Sequence, residues 1–443
     1  MTTYWCEWAW LGGDAVSAGV VLDVDGDRFA SIGSAPTAPA GAIRLDGVTL
    51  PGLVNGHSHG FHRALRGRTH GGEGSFWTWR QQMYALAETL DPDRYQRLAR
   101  ATFGEMALAG ITTVGEFHYL HHGPGGEPYD EPNAMGLAMM AAAAEAGVRL
   151  TLIDACYLHG GIGVDLDPVQ RRFGDGSVEA WASRVADLVE SPTVRVGAAV
   201  HSVRALTPPE VAELAEASEA QRWLVHAHVS EQPAENEECH AAYGATPTQV
   251  LANAGVIGPS FTAVHAIHLT PTDRHTLAAG SVCVCPTTER DLADGIMVAS
   301  AVAAAGARVC LGTDSNAVID LFEEARAVEL DERLATGRRG QNRSVDLLRA
   351  ATEGGADSLG WPDGGRLAPG MLADFVTVGL GSVRLAGARP VDAVDAVESL
   401  VFSATAADVG HVVVGGRVVV RDGHHVTLDV AAELTDAIGA LDP

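Results

Sequence analysis

The chain contains no lysine, and all 30 of its basic residues are arginine. A lysine amine is needed for a Schiff base with a carbonyl substrate and for the phosphate contact of a P-loop. In modified form it is also the side chain that bridges two metal ions in some hydrolases. The sequence therefore excludes these three kinds of site, whichever fold it adopts.

Cysteine is also scarce, with six residues in 443 and no Cys-x-x-Cys pair. This usage predicts reduced thiols in a cytoplasmic protein rather than a disulfide framework or a thiolate zinc site. No apolar run reaches the roughly 18 residues that a membrane helix needs. The first residues also lack the pattern of a secretion signal. We therefore expect a cytoplasmic protein with no membrane partner.

The chain has few positive charges relative to negative ones. Its 56 acidic residues outnumber the arginines, and the formal net charge is −26. A field of this sign repels nucleic acid and anionic lipid at long range, so we expect no nucleic-acid partner. A small anionic substrate would need arginines placed close to its own charges. The hydrophobic content of 47% is sufficient for a large core and argues against disorder.

Strand-like and helix-like patterns alternate from about residue 51 onwards. Eight short apolar runs, from "TLPGLVNGH" to "RVCLGTDS", are separated by Ala-rich or amphipathic stretches that often end in glycine. Near-continuous apolar strands alternating with helices are typical of a parallel sheet, and the count of eight predicts a closed TIM-like (β/α)8 barrel. An open doubly wound sheet is the alternative, but no G-x-G-x-x-G motif follows the first strand.

The two ends of the chain have a different pattern. Residues 1–50 and 368–443 are rich in valine and glycine, and "DGDR" and "VGGR" are typical of hairpin turns between alternating strands. We predict that both ends assemble into one small β-sandwich domain. Residues 51–367 would then form the catalytic barrel domain.

Polar residues close several of the predicted barrel strands. They are His57 and His59 on the first strand, His201 and Arg204 on the fourth, His226, His228 and Glu231 on the fifth, His265 and His268 on the sixth, and Asp314 on the eighth. Histidines two apart on a strand point to one side, and barrel strands carry function at their carboxyl ends. Imidazoles with one carboxylate suit Zn²⁺, or Fe²⁺ or Mn²⁺, with a position left open for water. The pattern predicts a hydrolytic metal centre.

Each of these features has a plainer explanation when taken alone. An isolated His-x-His pair can be packing, Asp314 can cap the next helix, and Glu231 can be a solvated surface residue. Their joint occurrence at the ends of strands one, four, five, six and eight is hard to produce by packing. We therefore favour the metal centre.

Four short motifs occur in an order that resembles the mononuclear deaminase branch of the amidohydrolase superfamily. They are "HSH", "HVSE", "VHAIH" and "GTDS". The absence of lysine agrees, because binuclear members commonly use a carbamylated lysine. The longer motifs "FHYLHH" and "CPTTERDLADGI" resemble those of the formimidoylglutamate deiminases of histidine degradation. This similarity covers nearly the whole barrel.

The resemblance implies a function and a set of roles. The expected reaction converts N-formimino-L-glutamate and water to N-formyl-L-glutamate and ammonia, with one zinc ion per chain and a homodimeric assembly. The implied zinc ligands are His57, His59, His228 and Asp314. The implied catalytic residues are Glu231, His265 and Asp314. The implied substrate-binding residues are Arg80, Tyr119, His201, Arg204 and His62, the last at a position where the family has glutamine.

Other functions remain open from the sequence. They are deamination of another formimino or guanidino amino acid, deamination of a cyclic amidine such as guanine, hydrolysis of a cyclic amide, and a non-catalytic metal-binding barrel. Paired arginines favour a dicarboxylate over a ring, and a structural metal site would need neither Glu231 nor His265. The glycine-rich stretch 60–75 is predicted to be either a lid over the site or an ordinary surface loop.

Overall fold

The computed structural model describes residues 1–69, 76–388 and 393–441, and within them the strands form two eight-stranded sheets. The N-terminal strands are β1 (Thr2–Trp10), β2 (Val16–Asp25), β3 (Arg28–Ser34) and β4 (Ile43–Pro51). The barrel strands are β5 (Leu53–Ser58), β6 (Ile111–His118), β7 (Arg149–Cys156), β8 (Val194–Val200), β9 (Val225–Val229), β10 (Phe261–His265), β11 (Ser281–Val284) and β12 (Arg308–Leu311). The C-terminal strands are β13 (Phe375–Val378), β14 (Val409–Val414), β15 (Arg417–Arg421) and β16 (His424–His425).

Strands β5 to β12 pair in parallel in chain order. Their apolar runs are buried along nearly their whole length, as expected for strands covered on both faces. The order closes where the chain after β12 meets β5, because the N–H groups of Thr313 and Asp314 both donate to the carbonyl of His57. The prediction of a TIM-like barrel is confirmed, and each of its eight strands lies where the pattern placed it.

Fifteen α-helices occur in the described residues. They are α1 (Phe76–Thr89), α2 (Pro92–Leu108), α3 (Ala134–Ala146), α4 (Val178–Ala186), α5 (Pro208–Gln221), α6 (Pro233–Tyr243), α7 (Pro247–Asn253), α8 (Pro271–Leu277), α9 (Pro286–Asp291), α10 (Ala299–Ala305), α11 (Leu321–Thr336), α12 (Ser344–Arg349), α13 (Gly355–Ser358), α14 (Ala393–Ser403) and α15 (Val430–Gly439). Helices α5, α7 and α8 all begin with a Thr-Pro pair and a capping box. This sequence device satisfies the first free N–H groups of a helix and fixes its start. Among the helices of the described ranges, none has the length and apolar character required to cross a bilayer.

The second sheet joins both ends of the chain, because β13 pairs with β4. Its order is β16-β15-β14-β13-β4-β1-β2-β3. Three strands separate β3 from β13, yet the rings of Phe29 and Phe375 lie only 6.0 Å apart. The sheet therefore curls around its own core. The predicted small β-sandwich built from both chain ends is confirmed, and in the described residues it consists of one curled sheet.

Two elements of the C-terminal segment were not predicted from the sequence. Helix α14 packs against α11 and α12, and α15 packs against α2, so both lie on the barrel. The buried pair Arg149–Asp374 also joins β7 of the barrel to the start of β13, with Nε and Oδ2 2.7 Å apart. The barrel and the sheet thus share packed and ionic contacts.

The stretch 60–75 is described only in part. Residues Gly60–Leu65 form a short, largely buried 3-10 helix directly after the first barrel strand. The lid prediction depends on residues 70–75, which lie outside the described residues.

Candidate metal centre and active-site pocket

Four buried side chains converge at the carboxyl ends of the barrel strands. His57 Nε2 and His59 Nε2 lie 3.3 and 3.4 Å from Asp314 Oδ1, and His57 Nε2 lies 3.2 Å from His228 Nε2. One ligand atom from each residue lies within 4.8 Å of all the others. Two ligands bound tetrahedrally at about 2.0–2.1 Å from Zn²⁺ are roughly 3.3 Å apart. The spacing therefore fits a single ion.

Backbone hydrogen bonds bring Asp314 to the histidines. Its N–H donates to the carbonyl of His57, and its own carbonyl accepts from the N–H of His59 at 2.9 Å. Asp314 has a φ of 41°, and His265 has a φ of 68°. Residues other than glycine are uncommon in this left-handed region and are concentrated at functional sites.

The hydrogen bonds of the imidazoles also fit a cation. His59 Nδ1 lies 2.9 Å from the carbonyl of Phe117, and His228 Nδ1 lies 3.0 Å from the carbonyl of His201. A carbonyl can only accept, so each Nδ1 carries the proton and each Nε2 presents a lone pair to the cluster. Burial, the largest cause, lowers the pKa of both histidines well below the usual range, so they are neutral. Three imidazoles and a carboxylate form a donor set suited to Zn²⁺.

His265 lies beside this cluster among three carboxylates. Its Nε2 is 3.7 Å from both Glu231 Oε1 and Asp314 Oδ2, and its Nδ1 is 3.4 Å from Glu289 Oε1. Burial alone would lower the pKa of His265, but the carboxylates, Glu231 foremost, raise it to about 10. The imidazole therefore holds a proton between Glu231 and Asp314.

Glu289 is a residue that the sequence reasoning missed. Its Oε1 accepts a hydrogen bond from the N–H of Cys285 at 2.9 Å and also faces His265. It is buried in the first turns of α9, directly after β11. Glu289 lies in the motif "CPTTERDL", which could have indicated it. A glutamate after a strand is, however, also favoured in the first turn of an ordinary helix, so the motif alone did not assign it to the site.

One pocket connects the metal centre to the predicted substrate residues. It contains about 680 Å³ of space between the side chains, part of it open to solvent. All five predicted substrate residues line it, namely His62, Arg80, Tyr119, His201 and Arg204. Five of the six predicted metal and catalytic residues line it as well, namely His59, His228, Glu231, His265 and Asp314. His57 lies beneath this wall as part of the ligand cluster.

Several polar contacts define the wall of the pocket. His62 Nε2 lies 2.8 Å from the hydroxyl of Tyr119, and Arg204 Nη2 lies 3.5 Å from Glu231 Oε2. Burial lowers the pKa of His62 to about 4 and that of His201 well below its usual value. Both imidazoles are therefore neutral, and Arg204 supplies positive charge beside the proposed proton-transfer residue.

The sequence model of the amidohydrolase family matches residues 48–419, which span the barrel, strands β13 and β14, and parts of β4 and β15. The chain belongs to the amidohydrolase family. It is a hydrolase of this family, and its buried histidines and aspartate form a group that could hold a metal ion. The predicted superfamily membership is confirmed.

Several known proteins are similar to this amidohydrolase chain over most of its length. The formimidoylglutamate deiminase of Pseudomonas aeruginosa is 37% identical over an alignment of 401 positions, and the alignment covers 87% of each chain. The 5-methylthioadenosine/S-adenosylhomocysteine deaminase of Pelotomaculum thermopropionicum is 29% identical over 96% of this chain and 94% of its own. The crystal structure of an amidohydrolase from Brucella melitensis covers 100% of both chains, with 31% identity and a TM-score of 0.89.

Two other histidines at predicted strand ends, His226 and His268, bond to groups outside the ligand cluster. His226 bonds the carbonyl of Ser358 at 3.1 Å, and His268 bonds the carbonyl of Asp294 at 2.8 Å. The structure therefore places His228, and not His226, in the ligand cluster.

A second group with metal-ligand chemistry consists of His118, His121 and Asp154. Asp154 already accepts two hydrogen bonds from Arg184, at 3.0 and 2.9 Å, and one from Trp181 at 2.9 Å. A cation in this group would lie against the guanidinium charge. We interpret the group as a buried ion-pair network that supports the barrel.

Proposed function

We propose that this protein is a zinc-dependent deiminase that hydrolyses N-formimino-L-glutamate to N-formyl-L-glutamate and ammonia in histidine degradation. The observation that carries the proposal is a single pocket that joins the His/Asp ligand cluster to two arginines, Arg80 and Arg204. A planar guanidinium pairs bidentately with a carboxylate, so two of them suit a dicarboxylate. The 37% identical relative named formimidoylglutamate deiminase supports the same substrate.

His57, His59, His228 and Asp314 would hold the metal, and the same donor set would also accept Fe²⁺ or Mn²⁺. When bound there, the ion would lower the pKa of a coordinated water towards neutrality. The lone pairs of His59 Nε2 and His228 Nε2, fixed by the carbonyl partners of Nδ1, support this assignment.

Glu231 would move the proton that the reaction requires. The substrate R–NH–CH=NH gains water at its formimino carbon. Glu231 would pass both protons of that water in turn to the imino nitrogen, which then leaves as ammonia while the oxygen remains as the formyl carbonyl. Asp314 would accept the proton of the attacking water on its way to Glu231, and the protonated His265 would stabilise the charge that develops on the oxygen. The 3.7 Å distances from His265 Nε2 to Glu231 and to Asp314 support this division of roles.

Arg80, Tyr119, His201 and Arg204 would bind the two carboxylates and fix the formimino group over the metal. His62, held by Tyr119 at 2.8 Å, would contact the substrate near the metal. The neutral imidazoles of His62 and His201 would offer directed hydrogen bonds, and the two arginines would supply positive charge. The pocket would therefore select an acidic amino-acid derivative over a neutral one.

A cyclic amidine such as a purine is the second candidate. Aromatic side chains line the pocket, among them Trp79, Tyr157 and Phe173. One relative is named 5-methylthioadenosine/S-adenosylhomocysteine deaminase. A neutral ring, however, would offer no carboxylate for the guanidinium groups of Arg80 and Arg204 to bind. The two arginines therefore favour the dicarboxylate.

The test is an ammonia-release assay of the zinc-loaded protein. The substrates are N-formimino-L-glutamate, N-formimino-L-aspartate, N-guanidino-L-glutamate and guanine, with the Glu231→Gln variant as a control for contaminating activity. We expect the highest kcat/KM with N-formimino-L-glutamate. Activity confined to guanine would contradict the substrate, and no ammonia from any of the four would contradict the deiminase assignment.

A further inference from the structure

Gln170 holds two tyrosine hydroxyl groups at the wall of the pocket. Its Nε2 lies 2.9 Å from the hydroxyl oxygen of Tyr84 and 3.0 Å from that of Tyr157. Its Oε1 accepts a hydrogen bond from the N–H of Asp167 at 2.9 Å. Because a backbone N–H can only donate, this contact fixes the amide with its nitrogen towards the tyrosines. Gln170 is buried, so the arrangement is held within the protein.

Arg80 approaches the same two oxygens from the other side. Its Nε donates to the hydroxyl of Tyr84, and its Nη2 donates to that of Tyr157 at 3.4 Å. A hydroxyl oxygen has two lone pairs and one hydrogen. Each tyrosine oxygen thus already receives one N–H from Gln170 and one from Arg80. Its own hydrogen is left to be donated elsewhere.

No acceptor within the described ranges lies at hydrogen-bond distance from either hydroxyl group, and both tyrosines line the pocket. Burial, as the largest cause, raises the pKa of Tyr84 well above its ordinary value, so this group keeps its hydrogen. The end of the pocket at Arg80 therefore offers one hydrogen from each of two hydroxyl groups, beside a guanidinium charge. A group that only accepts and is negatively charged matches it, which is the chemistry of a carboxylate.

We propose that Tyr84 and Tyr157 determine specificity by donating a hydrogen bond each to one carboxylate of the substrate, and that Gln170 positions both hydroxyl groups for this task. The inference rests on the proposed function in taking the substrate to be a dicarboxylate. It adds three residues to the predicted set and assigns the Arg80 end of the pocket to one carboxylate.

The first experiment removes single hydroxyl groups. Tyr84→Phe and Tyr157→Phe should each raise the KM for N-formimino-L-glutamate about 10- to 100-fold, which is the value of a hydrogen bond to a charged group, with a smaller change in kcat. Tyr243→Phe removes a hydroxyl on α6, outside the pocket, and should leave KM unchanged. Unchanged KM in both pocket variants would overturn the inference.

The second experiment identifies the contacted carboxylate. N-formimino-4-aminobutyrate lacks the α-carboxylate of the parent substrate, and N-formimino-2-aminobutyrate lacks the side-chain carboxylate. For one of these analogues, the Tyr→Phe variants should have the same kcat/KM as the wild type, because the group that the hydroxyls bind is absent. Equal losses with the parent and with both analogues would show a structural effect and contradict the inference.

The third experiment reverses the direction of the hydroxyl hydrogens. Gln170→Glu keeps the oxygen that accepts from Asp167 but replaces the N–H donors by an acceptor, so both tyrosines would donate to residue 170 instead of the substrate. KM should rise at least as much as in the single Tyr→Phe variants. Retention of the wild-type KM, with an unchanged melting temperature, would overturn the positioning role.

Glutarate binding separates this inference from the proposed function. Calorimetric titration of the zinc-loaded protein with this simple dicarboxylate needs no turnover. We expect binding to the wild type and about 10-fold or greater weakening in Tyr84→Phe and Tyr157→Phe. If the wild type released no ammonia from N-formimino-L-glutamate, the proposed function would fail while this result still supported the carboxylate site. Absent or unweakened glutarate binding would contradict the site itself.

Discussion

The Nε2 atoms of His57 and His228 lie 3.2 Å apart, although 171 positions separate the two residues in the sequence. They belong to β5 and β9, which are four strands apart in the barrel order. In an open sheet adjacent strands are about 4.8 Å apart, so the ends of strands four positions apart would be much farther from each other than 3.2 Å. Only closure of the sheet can bring them together. The candidate metal centre is thus a direct product of barrel closure.

Metal content tests this cluster. His57→Asn and His228→Asn should each lose most of the bound zinc after dialysis, together with deiminase activity, because each removes one of four ligands. His275→Asn, at an exposed position of α8, should keep both. Zinc is measured by inductively coupled plasma mass spectrometry. Full zinc in the two cluster variants would remove these residues from the ligand set.

Glu231→Gln tests the proton-transfer role. The amide keeps the size of the side chain and its contact range to Arg204 and His265 but cannot carry the proton. We expect kcat to fall about 10²- to 10⁴-fold with zinc content and melting temperature close to wild type. Glu237→Gln, exposed on α6, is the matched control. A Glu231→Gln enzyme with near wild-type kcat would exclude this residue from the chemistry.

The barrel and its ligand residues could be predicted because they depend on local patterns. Apolar runs mark buried strands, and a period of two places His57 and His59 on one side of a strand. In a (β/α)8 barrel the carboxyl ends of all strands lie at one face. The polar residues at these ends are therefore expected to lie close together even when side-chain distances are unknown. For the same reason His226 and His228 could not be separated by periodicity alone, because both follow the same alternation.

The residues that were missed depend on contacts between distant loops. Gln170 meets Tyr84 and Tyr157 only after the chain following β7 has turned back over the barrel, and nothing in "DPVQRRF" indicates that meeting. Glu289 likewise reaches His265 from helix α9, which follows the neighbouring strand β11. Side-chain hydrogen bonds of this kind carry no periodicity, so a single sequence does not reveal them.

The pair Arg149–Asp374 should contribute to stability far more than a surface pair. Its side chains are 1% and 3% exposed, against 45% and 30% for Arg28–Asp363 at a similar distance of 2.7 Å. Asp374→Asn leaves a buried guanidinium without its charge partner and should lower the free energy of unfolding by about 3–5 kcal/mol. Asp363→Asn should cost at most about 1 kcal/mol.

Urea unfolding of the two variants measures this contrast. The double variant Arg149→Met/Asp374→Leu removes both charges and should be more stable than Asp374→Asn, because no buried charge remains unpaired. Equal losses in Asp374→Asn and Asp363→Asn would show that burial does not set the strength of the pair between the barrel and the curled sheet.

His118 should make the fold sensitive to mild acid. Burial, the largest cause, lowers the pKa of His118 to about 3, whereas a histidine in the unfolded chain has a pKa near 6.5. Below about pH 6.5 the unfolded chain therefore takes up a proton that the folded chain does not. The free energy of unfolding falls as the pH decreases from about 6.5 towards 3, by up to about 1.4 kcal/mol per pH unit for this one group.

The measurement compares urea unfolding at pH 7.5 and pH 5.5. Other buried histidines, such as His226 with a pKa lowered to about 4, contribute in the same direction, so the comparison is made between variants. In His118→Asn the loss of stability between the two pH values should be smaller than in the wild type by about 1.4 kcal/mol. His275→Asn should retain the wild-type loss. If His118→Asn retained it too, His118 would not be held neutral in the folded protein, and its environment beside Tyr95 and His121 would be polar enough to accept charge.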